Sequence, residues 1–415
     1  MKILKFGGAS VKDAVGVRNV CQVLQTIQAS EVLIVVSAMG KTTNALEVVI
    51  KNYFGKSPAL SESIQTIKDY HAQIISELFD SNHEVYTDIE AYFTELHNFL
   101  DNNKSQNYNF VYDQVVSFGE MISSKILHHY LNENNLANHW LDSRNLIKTD
   151  NTYRDANVNW EQTQTRISDT VDKTKNYVTQ GFIGSDENNF TTTLGREGSD
   201  YTAAIFAYCL DAESVTIWKD VAGVLNADPR YFENTTLLEQ ISYREAIELA
   251  FYGASVIHPK TLQPLQQKEI PFFVKSFINP LEKGTSISKG ADLQPKLPCF
   301  IVKQPQHLIS ISSKDFSFIM EENISYIFSI LHKYKVKVHL IQNSAISFSV
   351  CIEDKFENLE QLIAELSEKF RVKYNTNVTL YTIRHFDQQA IDKVAQGKEI
   401  LMKQTSRETV QMVLQ

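Results

Sequence analysis

Short apolar runs alternate with helical spacings through the first two thirds of the chain. Ile3-Leu4-Lys5-Phe6 is one such run and ends at Gly7-Gly8; behind it Val20, Val23, Leu24 and Ile27 recur at the spacing of an amphipathic helix. Val32 to Val36 reads as a buried strand, followed by a loop from Ser37 to Thr43 and a helical stretch from Asn44. Residues 60–102 carry long helical patterns, read as an excursion at the edge of a sheet. A helix bearing Val115, Val116, Glu120, Ile122, Ile126 and Leu127 leads to a strand around Trp140-Leu141. Strands at Tyr177 to Ile183, Ser214 to Trp218 and Phe272 to Lys275 then alternate with helices from about Asp200 to Leu210 and from Tyr243 to Tyr252. Such alternation predicts an α/β domain over 1–290, a mostly parallel sheet sandwiched by helices, open to division into two lobes.

Gly290 to Pro298, with two prolines, reads as a linker, and the rhythm then changes. Strands at Leu308 to Ser312, Val336 to Ile341, Ser347 to Ile352 and Val378 to Ile383 frame helices at Glu322 to Tyr334 and Leu359 to Phe370. This is the β-α-β-β-α-β order of a ferredoxin-like unit. A second copy starts in the tail, with a helix at Gln388 to Ala395 and strands at Ile400 to Lys403 and Thr409 to Leu414, but lacks a closing helix. The expected C-terminal region is 299–415, with a full unit at about 305–377 and a shortened one at about 378–415. The short copy is either truncated or completed by exchange with the first unit or a partner chain.

The chain has 415 residues, 43% of them hydrophobic, enough for several cores. With 40 basic against 49 acidic residues, a net charge of −9 argues against a general nucleic-acid binder; a local cationic cleft for a small anion stays open. Cys21, Cys209, Cys299 and Cys351 are widely spaced and read as reduced, apolar residues. No run of eighteen apolar residues and no leader pattern is seen, so a cytoplasmic protein with no membrane partner is expected.

Candidate chemistry falls at strand ends and helix starts, where open α/β sheets bind ligands. Gly7 and Gly8 let backbone N–H groups approach a phosphate, and Lys5 sets a cation beside it. This is neither a P-loop nor a dinucleotide fingerprint, and by itself it is more often an ordinary tight turn. Ser37 to Asn44 offers hydroxyls to an anion, or is a plain loop in which Asn44 caps a helix. In Thr191 to Asp200, Arg196 can fork onto a carboxylate, while Ser199 and Asp200 also read as N-cap residues. Trp218 to Gly223 delivers Lys219 and Asp220 to the sheet edge, and Asp228-Pro229-Arg230 is a turn suited to a nucleotide or simply a turn. His258, before Pro259, reads as structural.

Lys5-Phe6-Gly7-Gly8-Ala9-Ser10-Val11 resembles the opening K-F-G-G-[ST]-S-V of aspartate kinases. Gln180 to Gly184 through Leu194 to Asp200 resembles their Q-G-F-I-G…L-G-R-G-G-S-D. Phe118-Gly119-Glu120, Trp218 to Pro229 and Gly253 to Pro259 follow in family order, and the tail is similar to the family's paired ACT domains. The resemblance implies transfer of the γ-phosphoryl of ATP, with Mg2+, onto L-aspartate. It places Lys5 on the transferring phosphoryl with Gly7, Gly8 and Ser10 in its loop. Thr43, Glu120, Arg196 and Ser199 fall on the aspartate side, Asp200 at the substrate and Mg2+, and Lys219, Asp220, Arg230 and Ser255 on the nucleotide side. It also implies a homodimer with an amino-acid effector bound by the tail.

Several residues depart from the family pattern. Ala9 stands for Ser or Thr, Glu197 for a glycine, Leu225 for a tyrosine and Ser255 for a lysine whose charge Lys219 is expected to replace. The loop Asp315 to Asn323 lacks the usual glycine and His339 stands for an aspartate, both arguing against ordinary inhibition by lysine. Two alternatives remain: another kinase of the amino-acid kinase fold, and a catalytically inactive amino-acid sensor. A fused dehydrogenase is not expected from the length.

Overall fold

The computed structural model describes residues 1–254, 257–315 and 317–415. It divides into two compact units. The first comprises Met1–Val224, Leu237–Ile247 and Val256–Leu293; the second comprises Leu225–Thr236, Glu248–Ser255 and Gln294–Gln415.

The first unit opens with β1 (Lys2–Phe6), a 3-10 turn (Gly8–Val11), α1 (Ala14–Thr26), β2 (Val32–Val36) and α2 (Thr42–Phe54). Three long helices follow, α3 (Leu60–Leu78), α4 (Val85–Asn102) and α5 (Tyr108–Glu133), then β3 (His139–Leu141), α6 (Ser143–Leu146) and α7 (Trp160–Thr170). Next come β4 (Tyr177–Gln180), β5 (Ile183–Ser185), β6 (Thr191–Thr193), α8 (Gly198–Leu210), β7 (Ser214–Lys219) and β8 (Gln240–Ser242). Helix α9 (Tyr243–Tyr252), whose residues from Glu248 on count with the second unit, is followed by α10 (Pro259–Gln267), β9 (Phe272–Ser276) and β10 (Thr285–Ser288). The eight-stranded sheet has the order β3-β4-β2-β1-β7-β9-β10-β8 and is parallel except between β9 and β10.

Period-two alternation gives the sheet its two faces. Leu4, Phe6, Val32, Ile34, Val36, Val178 and Trp218 bury into one cluster with α1 to α5. Helices α3 and α4 therefore belong to the main core, where the sequence suggested an excursion at the sheet edge. Their apolar stripes (Ile64, Ile67, Ile74 and Ile75; Ile89, Phe93, Leu96 and Leu100) need a large apolar surface, and the face over β1 and β2 supplies it. The opposite face packs on α8, which is apolar almost all round because α7 and α10 cover it from outside.

The run expected as one strand from Tyr177 to Ile183 breaks after Gln180. Phe182 has φ +71°, and beyond it β5 leaves the main sheet to pair antiparallel with β6. The triple-threonine segment, assigned to neither strand nor helix from the sequence, is thus a strand. Helix α2 begins at Thr42, so Asn44 is not its cap, and α8 begins at Gly198, which puts Ser199 and Asp200 inside its first turn.

The second unit holds β11 (Cys299–Ser312), α11 (Glu321–Lys333), β12 (Lys337–Asn343), β13 (Ser347–Glu353) and α12 (Leu359–Lys369). It continues with β14 (Arg371–Arg384), α13 (Gln388–Ala395), β15 (Ile400–Thr405) and β16 (Thr409–Leu414). These strands form one antiparallel sheet ordered β12-β13-β11-β14-β16-β15. Strands β11 and β14 are each 14 residues long, far beyond the segments read from sequence, and run through both halves. The later part of β11 pairs with β13 and with Arg371 to Asn375, while Cys299 to Lys303 pair with Leu380 to Arg384. The first part of β11 is therefore the fourth strand of the short copy, supplied within the same chain. Helices α11 and α12 pack on Ile309, Ile311, Val350 and Ile352; α13 packs on Ile383, Val410, Met412 and Leu414.

Among the described residues no helix is long and apolar enough to cross a membrane. His71 of α3 is fully buried: its Nδ1 lies 2.7 Å from Ile67 O, and its Nε2 has no partner. Burial lowers its pKa from 6.5 to about 4 despite the backbone hydrogen bond. A depressed folded pKa leaves stability intact above the unfolded value and erodes it as pH falls from 6.5 toward 4. Urea denaturation is expected to show a loss on the order of 1–2 kcal/mol between about pH 6.5 and 5, and His71→Leu is expected to flatten that limb.

Candidate active site

The three central strands end level, with Phe6 opposite both Val36 and Trp218. Because Lys5 pairs with Ile217, alternation carries Lys5 and Lys219 to the same face, the one that α8 covers. There they meet Asp200, in the first turn of α8 and 4% exposed. Lys5 Nζ lies 2.6 Å from Asp200 Oδ1, and Lys219 Nζ lies 3.4 Å from Oδ2. Burial alone would push the Asp200 carboxyl up; the two ammonium groups outweigh it and hold the pKa below its usual value.

These residues line a cleft of about 320 Å³, joined by Gly8, Ser37, Ala38, Thr43, Glu120, Glu197 and Ser199. Gly8 passes so close to the β2–α2 loop that a Cβ would stand 2.6 Å from Ala38 O. Glu120, on α5, is 3% exposed; its Oε1 accepts the Ala38 N–H at 3.2 Å, and its Oε2 has no partner. Burial raises its pKa to about 8, only partly offset by backbone hydrogen bonds and by Lys5. Helices α2 and α8 and the 3-10 turn all start at the cleft, so its rim is rich in N-terminal backbone N–H groups. One end thus suits an anion, and the buried Glu120 carboxyl suits an ammonium group.

Of the residues singled out from sequence, Lys5, Gly8, Thr43, Glu120, Ser199, Asp200 and Lys219 come together here. Gly7 adjoins them, 3.5 Å from Lys5 Nζ at its notional Cβ. Ser10 is buried in the 3-10 turn, its hydroxyl without a partner. Arg196 is exposed on its loop, outside the cleft lining, and Asp220 is exposed just past Lys219. Arg230 falls in the second unit, chelating Asp228 at 2.6 Å from an exposed position. Ser255 lies outside the described residues. His258 caps α10, its Nδ1 accepting the Lys260 N–H.

Two features were not legible as site residues. Glu197 occupies the position before α8 with φ +54° and sends its carboxylate into the cleft, where Oε2 is buried without a partner. The Arg196 loop also has anchors that no motif marks. Asp113 accepts the Thr193 N–H and hydroxyl, at 2.8 and 2.9 Å, while Lys260 donates to Asp155 and to Leu194 O. The one available signal was an aspartate on the apolar face of α5; burial raises its pKa to about 6.

Comparison with known proteins accords with this geometry. The profile described as the amino acid kinase family matches residues 1–276. The bifunctional aspartokinase/homoserine dehydrogenase of Buchnera aphidicola subsp. Acyrthosiphon pisum is 29% identical over 410 residues, covering 91% of this chain; the chain spans about half of that relative, 49% of its length. Lysine-sensitive aspartokinase 3 of Escherichia coli is 28% identical over 401 residues, covering 92% of this chain and 86% of the relative. The crystal structure of E. coli aspartokinase III in complex with aspartate and ADP superposes with a TM-score of 0.82 at 26% identity, covering all of this chain and 96% of the other.

The packing of strand end against helix start gives a stability test. A Cβ on Gly181 would lie 2.4 Å from Ser199 Cβ. Gly181→Ala is expected to cost about 1–3 kcal/mol in chemical denaturation; an unchanged midpoint would mean that β4 and α8 are not in register at this point.

Proposed function

The chain belongs to the amino acid kinase family, and on that premise we propose that it is an aspartate kinase, converting ATP and L-aspartate to ADP and 4-phospho-L-aspartate. The observation that carries this reading is one cleft holding an anion-binding corner, Lys5 with the glycine loop, beside a buried, unsatisfied Glu120 carboxyl. Aspartate needs both: an ammonium partner and a place for its side-chain carboxylate in line with a phosphoryl group.

That nucleophile, with a reference pKa of about 3.9, is already ionised at neutral pH, so the chemistry needs no general base. The obstacle is repulsion between two anions. Lys5, the backbone N–H groups of Gly7 and Gly8 and the start of α8 offset it at the transferring phosphoryl. Lys219 supplies a second cation on the nucleotide side, to which Asp220 is also assigned. Glu120 receives the substrate ammonium, Thr43 and Ser199 hydrogen-bond its carboxylates, and Arg196 closes onto one of them as a fork.

Mg2+ fits the donor set, since Asp200 is a hard oxygen ligand beside the phosphate corner, and magnesium is commonly held by one or two carboxylates plus substrate phosphates. When bound it supplies charge neutralisation on the phosphates. The second unit takes the regulatory role, in a cytoplasmic homodimer with an amino-acid effector. Lysine suits that role poorly here, because His339 already contacts the Lys303 ammonium at 2.9 Å within a nearly buried site.

Hydroxylamine trapping of acyl phosphate should give aspartate-dependent product and none with glutamate or without an acceptor; ATP binding with no trapped product would refute the reading. Lys5→Ala is expected to cost on the order of 10²–10³ in turnover. Glu120, protonated below about pH 8 in the empty cleft, must ionise to receive the ammonium. The apparent affinity for aspartate should therefore tighten as pH rises toward 8, by up to about tenfold per unit, and Glu120→Gln should abolish that slope. Activity should be unaffected by micromolar lysine.

A further inference from the structure

The loop between β6 and α8 carries Arg196 at its tip, between two residues in left-handed backbone. Gly195 has φ +78° and Glu197 φ +54°. That conformation is disfavoured for Glu197, so the turn persists only where its surroundings fix it. The arginine side chain is itself exposed. A long exposed side chain takes its direction from the backbone that carries it, so whatever fixes this loop also aims the guanidinium.

Lys260 holds this loop at both ends. It stands in the first turn of α10, where Pro259 opens the helix and His258 Nδ1 accepts the Lys260 N–H at 3.2 Å. On the strand side of the loop its Nζ donates to Leu194 O at 3.1 Å. On the helix side the same ammonium lies 5.1 Å from the centre of the Tyr201 ring. It also donates to Asp155 Oδ1 at 2.9 Å, and that carboxylate lies so close to Gly195 that a Cβ there would collide with it. Helix α10 packs along α8, whose first turn holds Ser199 and Asp200, so the lysine starts from a fixed place. Neither Lys260 nor Asp155 lines the cleft.

We propose, resting on the aspartate kinase reading given above, that Lys260 is a positioning residue for Arg196. Through Leu194 and Asp155 it clamps the β6–α8 loop and holds the guanidinium where it meets a carboxylate of the acceptor. A clamp and a mere source of positive potential differ in sign at Asp155. Were Lys260 only a cation near the cleft, loss of the Asp155 carboxylate would tighten the binding of an anionic acceptor. As one half of a clamp, Asp155 when lost should weaken that binding, although a negative charge has been removed.

The test is steady-state kinetics of the full chain with Mg·ATP and L-aspartate, in a cycle of Lys260→Met, Asp155→Asn and Arg196→Ala. Lys260→Met is expected to raise the KM for aspartate about three- to tenfold, and Asp155→Asn about two- to fivefold. Both kcat and the KM for ATP should stay within about twofold of the unaltered protein, the split expected when binding common to ground and transition states is lost. The melting temperature should fall by less than about 2 °C, since a partly exposed ion pair adds little stability, so a weaker KM cannot be laid to a damaged fold. Arg196→Ala should raise the KM for aspartate by more than about tenfold, and in that background Lys260→Met should add less than about twofold. Equal effects of Lys260→Met in both backgrounds, tightening by Asp155→Asn, or an unchanged KM in Lys260→Met while Arg196→Ala still damages it, overturns the clamp and leaves the aspartate kinase reading standing. Absence of aspartate-dependent product from the unaltered chain, or Arg196→Ala without effect on the KM, would overturn the reading of the acceptor side and this inference with it.

Discussion

The Asp200 carboxylate is the constraint around which the first unit is arranged. It lies in the interior, where an unpaired charge would cost several kcal/mol, and is tolerated because two strands deliver a lysine each to its two oxygens. That convergence requires β1 and β7 to be adjacent, parallel and level, and α8 to start just beyond their ends. The start of α8 is in turn fixed by Gly181, which lets Ser199 lie against the end of β4. A buried ion pair of this kind is a poor source of net stability. What it gives is a cluster of opposite charges held at the strand ends, facing the cleft.

Glu120 and Asp200 show how one cleft sets two carboxylates apart. Both are almost wholly buried, yet Asp200 is held below its usual pKa beside its two lysines, while Glu120, with no ion-pair partner of its own among the described residues, is pushed up to about 8. The difference lies in the neighbours, because the burial is nearly the same. On the reading proposed above, the first group keeps its charge throughout and the second gains one as the substrate ammonium binds.

Much of this was legible in the sequence, for identifiable reasons. Val32 to Val36 and Ser214 to Trp218 are β-branched or apolar runs of strand length, and the lysines at or just after such runs had to emerge near the sheet edge. The break after Gln180 was not legible, because Phe182 gives no local sign that tertiary packing will hold it at positive φ. The triple threonine of β6 gave no strand signal because it forms only a short two-stranded ribbon, held by Asp113, 80 residues away. Glu197 was visible as a departure from a family pattern, but its burial in the cleft is a property of the fold alone. Arg196 was the reverse: prominent in the motif, and exposed in the structure.

Strands β11 and β14 bear on how the second unit can be divided. Each contributes one end to the first ferredoxin-like half and the other end to the short one. The halves therefore are not modules in the sense of pieces that can be cut, swapped or lost separately. A boundary drawn at residue 378 passes through the middle of β14, and the short half would keep its helix but lose the strand that comes from before residue 304. An insertion or deletion that shifted one half along β11 or β14 would be felt in the hydrogen-bond register of the other.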